Sequence, residues 1–182
     1  MLNMGAEKAI EIWKRVPSHF DPRALGESLK EVAIDYIETE DSNLQSRWFQ
    51  SENDADLFIW TDVNRKKVAT AQEIIKYQLS FFGQVVEWSI FDGVRTGVII
   101  ENEIQGESPS EVIEFDQHPQ IASIEQATRL LRFVTELGHA EQQYLISVLS
   151  QKGLAPIGSE KQKSKSARST FQALLKWMHI KK

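Results

Sequence analysis

Tyr77-Gln78-Leu79-Ser80-Phe81-Phe82-Gly83-Gln84-Val85-Val86-Glu87-Trp88-Ser89-Ile90 alternates apolar and polar residues on both sides of a glycine-centred turn. If Gly83-Gln84 forms a two-residue type II′ loop, cross-strand partners have residue numbers that sum to 167. Phe81 then opposes Val86, Leu79 opposes Trp88 and Tyr77 opposes Ile90, with Ser80/Glu87 and Gln78/Ser89 between them. The six apolar residues share one side of the hairpin and the polar pairs share the other. A one-residue slip would destroy that segregation, so the pattern predicts a well-specified antiparallel hairpin.

Further strands extend outward from this hairpin. Asp92-Gly93 suits a type I′ turn, which places Trp88 opposite Gly97 and Glu87 opposite Val98, with Thr96 on the polar side and Arg95 on the other. Upstream, residues 46–50 and 56–62 read as strands, the second with Phe58 and Trp60 on one face and Leu57 and Ile59 on the other. Apolar residues on both faces predict that this strand is central and covered twice. Residues 67–73 connect it to the hairpin. Residues 104–122 read as a long loop with a short strand at 112–115.

Helices flank the meander. Ala6–Lys14 carries Ile10 and Trp13 at helical spacing before Pro17, and Asp21-Pro22 opens a second helix running to about Ile37. After the strands, Ser123 is positioned as an N-cap with Gln126 at N3, ahead of the stripe Ile124, Ala127, Leu130, Leu131, Val134 and Leu137 that Gly138 ends. Another helix is expected over 140–151. The fold class is therefore α+β, an antiparallel meander of about five strands with helices before and after it.

The chain has 182 residues and a formal net charge of −5, but the charge is divided unevenly. Residues 1–151 hold 13 Lys and Arg against 25 Asp and Glu, whereas residues 152–182 hold eight against the single Glu160. The composition shift predicts three parts: an acidic α+β domain over 1–152, a Gly/Pro/Ser/Lys linker over 153–166, and a basic amphipathic helix over 167–182. In the helix, Phe171, Leu174, Leu175 and Met178 recur at i, i+3, i+4 and i+7, and Trp177 widens the stripe. These five residues are the candidate partner-binding set.

No catalytic motif is present: there is no phosphate-binding glycine loop, no G-x-S-x-G and no H-E-x-x-H. The absence of cysteine removes thiolate chemistry, disulfides and thiolate metal ligands. The four histidines, His19, His118, His139 and His179, are scattered and read as solvated side chains; His118 and His139 lie nearest predicted helix termini. Glu52, Asp54, Asp56 and Asp62 are dense enough to suggest an oxygen-ligand cation site, but Asp and Asn also build turns by their own propensity, which is the simpler reading. Lys76 and Glu87 on the polar hairpin face would form an acid/base couple if buried together, but a solvated sheet face is the commoner arrangement. Phe82, Val85 and Phe91 on that face suggest partial cover by the final helix. No catalytic residue, metal ligand or cofactor is assigned.

The start of the chain shows no signal-peptide pattern, and no apolar run reaches the roughly 18 residues of a membrane span, so a soluble cytoplasmic protein is expected. Two function classes follow. One is a non-catalytic interaction or adaptor protein whose basic helix docks on its own body, a second protomer or a partner. The alternative is a small enzyme or ligand-binding domain with a pocket between sheet and helices. Nucleic-acid or anionic-membrane contact through residues 161–182 is a weaker third option, because the acidic body opposes it.

Overall fold

The computed structural model describes residues 20–33, 44–62, 74–102 and 110–150. They form a seven-stranded antiparallel meander with strands in sequence order: β1 (Lys30–Glu31), β2 (Leu44–Ser51), β3 (Ala55–Asp62), β4 (Ile74–Phe81), β5 (Gln84–Ser89), β6 (Gly93–Asn102) and β7 (Ser110–Phe115). Three helices accompany it: α1 (Pro22–Ser28), α2 (Ile121–Leu131) and α3 (His139–Ser150). The expected α+β meander is present with seven strands rather than about five. The two strands beyond those five are the outer ones: the two-residue β1, where a helix was expected to continue, and β7, which covers the short strand expected at 112–115 and starts two residues earlier. The helices expected over 6–14 and 167–182 and the linker over 153–166 lie outside the described residues, as does the connector over 67–73.

Helix α1 starts as expected. Asp21 Oδ1 accepts from the backbone N–H groups of Arg23 at 2.9 Å and Ala24 at 3.2 Å, and Pro22 occupies the first turn, where its missing N–H costs nothing. It does not continue toward Ile37. Leu29 turns extended, Lys30 and Glu31 pair with Gln50 and Phe49, and the Val32 N–H donates to the Trp48 carbonyl at 2.8 Å. Arg47 stabilises this departure. Its guanidinium donates to both Glu31 oxygens at 2.7 and 2.8 Å and to both Glu141 oxygens at 2.7 and 3.0 Å, tying β1, β2 and α3 together over the Phe49 ring.

The β4–β5 hairpin forms one step earlier than the sequence suggests. Phe82 and Gly83, at φ 48° and 73°, are the two turn residues, and partners sum to 165: Tyr77 faces Trp88 and Leu79 faces Val86. Neighbouring strands account for the shift. The Phe82 N–H donates to the Asp54 carbonyl at 3.1 Å and the Ile99 N–H donates to the Gly83 carbonyl at 2.8 Å. Moving the turn by one residue changes the register by two, so the faces survive. Tyr77, Leu79, Phe81, Val86 and Trp88 all join the main core, whereas Ile90 lies in the next turn.

The β5–β6 connection is a larger departure. Three residues, Ile90–Asp92, intervene instead of two, and Gly93 follows at φ 69°. The Ile90 N–H reaches across to the Ile75 carbonyl at 2.9 Å, and Ser89 Oγ accepts from the Asp92 N–H at 2.9 Å. The odd change exchanges the faces of β6. Trp88 opposes Val94 rather than Gly97, Arg95 stands directly opposite Glu87, and Thr96 turns toward the helices.

The main core lies on one face of the sheet, between Phe49, Leu57, Ile59, Tyr77, Leu79, Phe81 and Val86 of the strands and the apolar sides of α1, α2 and α3. Burial of such side chains is the dominant stabilising contribution. Tyr77 lies fully inside and donates its hydroxyl to the Leu145 carbonyl at 3.0 Å, while Trp88 stacks on its ring and meets Tyr144 edge-on. Helix α2 begins two residues before the expected cap. Ser123 is buried and donates to Gln84 Oε1 at 2.9 Å, so its side chain holds the helix to β5 instead of capping it. The helix stops at Leu131, but Val134 and Leu137 remain buried in the turn that leads to α3. Among the described residues, no helix is long and apolar enough to cross a membrane.

Candidate functional site

The second face of the sheet carries the side chains that alternate with the core. On β2 and β3 these are Trp48, Phe58 and Trp60, whose rings stack at centroid separations of 5.8 and 5.9 Å and form a core cluster of their own. Trp48 Nε1 donates to Asp56 Oδ1 at 2.8 Å, which satisfies the indole while the ring stays buried. Strand β3 is buried on both faces, with Leu57 and Ile59 on the helical side and Phe58 and Trp60 on the other.

On β4, β5 and β6 the same face becomes charged. Glu87 is 3% exposed in its side chain. Lys76 Nζ lies 2.7 Å from its Oε2, and the Arg95 guanidinium donates to its Oε1. Both cations also lie over rings, Lys76 at 5.0 Å from the Trp60 centroid and Arg95 at 4.1 Å from that of Phe115. The aromatic stack and the ion triad therefore form one continuous strip across the sheet.

This strip is not the solvated polar face that the sequence suggests. Gln78 is 2% exposed, and Ser80, Glu87 and Ser89 are also buried. Val85 is fully buried, although the residues opposite it in β4 and β6 are Ser80 and Gly97, which are small. Helices α1, α2 and α3 all pack on the other face. Three polar atoms on the second face, Ser46 Oγ, Gln78 Nε2 and Arg95 Nε, are buried without a hydrogen-bond partner. Polar atoms in that state are costly and rare.

Of the residues singled out from sequence, Lys76 and Glu87 do come together, with Glu87 buried and Lys76 half-buried. Arg95 is the member the sequence misplaces. With both carboxylate oxygens engaged by cations, the triad is arranged to hold three strands and a charged surface together. The available sequence signal was the opportunity to pair Glu87 with Arg95 across the strands, which favours the three-residue loop.

The acidic loop is a turn of three residues, Glu52–Asp54, with Asp54 at φ 61° and the Asn53 N–H donating to Ser51 Oγ at 3.0 Å. Partial burial raises the Asp54 carboxyl above its ordinary value. Among the described residues, no group of three or more His, Asp or Glu converges on a cation-sized site. Phe82 packs edge-on against Phe20, and Phe91 is largely exposed at the β5–β6 turn, so neither accompanies Val85 on the second face. Phe171, Leu174, Leu175, Trp177 and Met178 lie outside the described residues. No family model, curated protein or solved structure matches this chain.

Proposed function

We propose that the chain is a non-catalytic interaction or adaptor protein: an acidic α+β body whose second sheet face receives an amphipathic helix. Residues 167–182 supply such a helix, for docking on the chain itself, on a second protomer or on a partner. The observation that carries this reading is the burial of Val85 on a face where α1, α2 and α3 do not pack. A helix laid across antiparallel strands buries its stripe in the way helix-in-groove recognition does. The Trp48/Phe58/Trp60 stack offers the aromatic anchors common at interface hot spots.

The alternative, a small enzyme or ligand-binding domain, draws its support from the Lys76–Glu87 contact. That support is reduced because Glu87 is shared with Arg95. The interaction reading is tested in the full chain with Leu174→Asp/Leu175→Asp. The expected result is a changed mass in solution or a gain in apolar dye binding, as the stripe is lost and the second face is exposed. Unchanged mass together with unchanged dye binding overturns it.

A further inference from the structure

We infer that the occupant of the second face is the chain's own basic helix, residues 167–182, folded back in cis onto the strip between Val85 and the Trp48/Phe58/Trp60 stack. The inference rests on the helix-docking reading above and names its partner. Val85 is flanked directly by Ser80 and Gly97, both too small to shield it, and its full burial points to cover from above. Gly97 deepens the same trench, because it contributes no side chain between Val85 and Phe115.

Two segments outside the described residues have helical apolar spacing, 6–14 and 167–182. The first offers Ile10, Ile12 and Trp13 as its large apolar residues, and its Glu7, Lys8, Glu11 and Lys14 cancel in charge. The second offers Phe171, Leu174, Leu175, Trp177 and Met178, with Arg168, Lys176, Lys181 and Lys182 unopposed by any acid. Only the second complements a body in which acidic residues outnumber basic ones by 25 to 13.

The geometry allows the return. Sixteen helical residues span about 24 Å, the width of roughly five strands. Residues 151–166 follow α3, whose apolar side faces the main core, so the chain must pass around the sheet through about two layer spacings of 10 Å each. A flexible tether of that length has a root-mean-square reach of about 20 Å.

Because the chain has no cysteine, engineered thiols report proximity directly. Ser80→Cys, a near-isosteric change, and separately Val85→Cys, are each combined with Leu174→Cys, Leu175→Cys or Met178→Cys in the full chain. Ile10→Cys serves as a second, alternative partner for the same two positions. The expected result is a thiol-reversible cross-link at monomer mass with one or more of the 174–178 positions, and none with Ile10→Cys. Cross-links only at dimer mass overturn cis docking but leave the interaction reading standing, with a second copy as the occupant. A cross-link only to Ile10→Cys overturns the assignment of the helix. No cross-link to any position overturns the inference whether or not the Ser80→Cys thiol is protected; a thiol freely open to reagent overturns the helix-docking reading as well.

Discussion

Arg95 stands directly opposite Glu87 across β5 and β6, and its guanidinium meets the Glu87 carboxylate while lying 4.1 Å from the centroid of the Phe115 ring. The pair joins β5, β6 and β7 on the second face, and Lys76 extends it to β4. Each partner is held by more than charge: the planar guanidinium has both a carboxylate edge and an aromatic face to match.

Removing the shared carboxylate takes away the acidic partner of Lys76 and leaves Arg95 only the longer contact to Asp92 at 3.8 Å. Glu87→Gln is expected to destabilise the chain by about 2–4 kcal/mol, at or below the range for a fully buried pair because Lys76 and Arg95 keep part of their length in water. Urea unfolding measures the loss. In a double-mutant cycle, Glu87→Gln/Arg95→Met costs less than the two single changes added together.

Two glycines are required for different reasons, and alanine separates them. A Cβ at Gly97 would fall 2.5 Å from the Glu114 carbonyl oxygen and 3.0 Å from Phe115 Cα, both backbone atoms of the paired strand. Gly97→Ala is therefore expected to cost about 2–3 kcal/mol by forcing β6 from β7. Gly83 has open space around it but sits at φ +73°, so Gly83→Ala is expected to cost roughly 1 kcal/mol of backbone strain alone. Thermal melts rank the two.

Two carboxylates make opposite contributions to the acid limb of stability. The hydrogen bond from Arg47 holds Glu31 below its ordinary value of 4.5, so its contribution is complete above that value and is lost as pH falls through the lower folded one. Glu31→Gln is expected to lose up to about 1 kcal/mol at pH 7, because both side chains are partly solvated, and to flatten the acid limb. Burial raises Asp54, which penalises the folded state once the carboxyl ionises; that penalty disappears as pH falls below the unfolded value. Asp54→Asn, which keeps a side chain tolerant of φ 61°, is expected to gain up to about 0.5 kcal/mol at pH 7 and nothing near pH 3. Urea midpoints across pH give both signs.

Tyr77 bonds the sheet to α3 through one buried hydroxyl. Tyr77→Phe leaves the Leu145 carbonyl without that donor and is expected to cost about 1–2 kcal/mol. Burial also pushes the phenol well above its usual 10.0, so in an alkaline titration followed by tyrosinate absorbance it ionises only as the chain unfolds.

Alternation along β3, β4 and β5 was legible from residues alone because side chains on a strand have a period of two. Tyr77, Leu79, Phe81, Val86 and Trp88 keep their side whether the turn is Gly83-Gln84 or Phe82-Gly83, since the two registers differ by an even number. The Asp21-Pro22 helix start was legible for a similar local reason, a cap and a proline within one turn. Which side Arg95 and Thr96 take was not, because a loop longer by one residue reverses them. That length is set by the Ile75 carbonyl, on a strand beyond the hairpin, accepting from Ile90. The exit of α1 into β1 and the burial of Gln78, Ser80 and Glu87 depend likewise on groups distant in sequence. Local pattern determined which residues could share a dry surface; long-range hydrogen bonds and close packing decided where each strand begins and which polar groups are withdrawn from water.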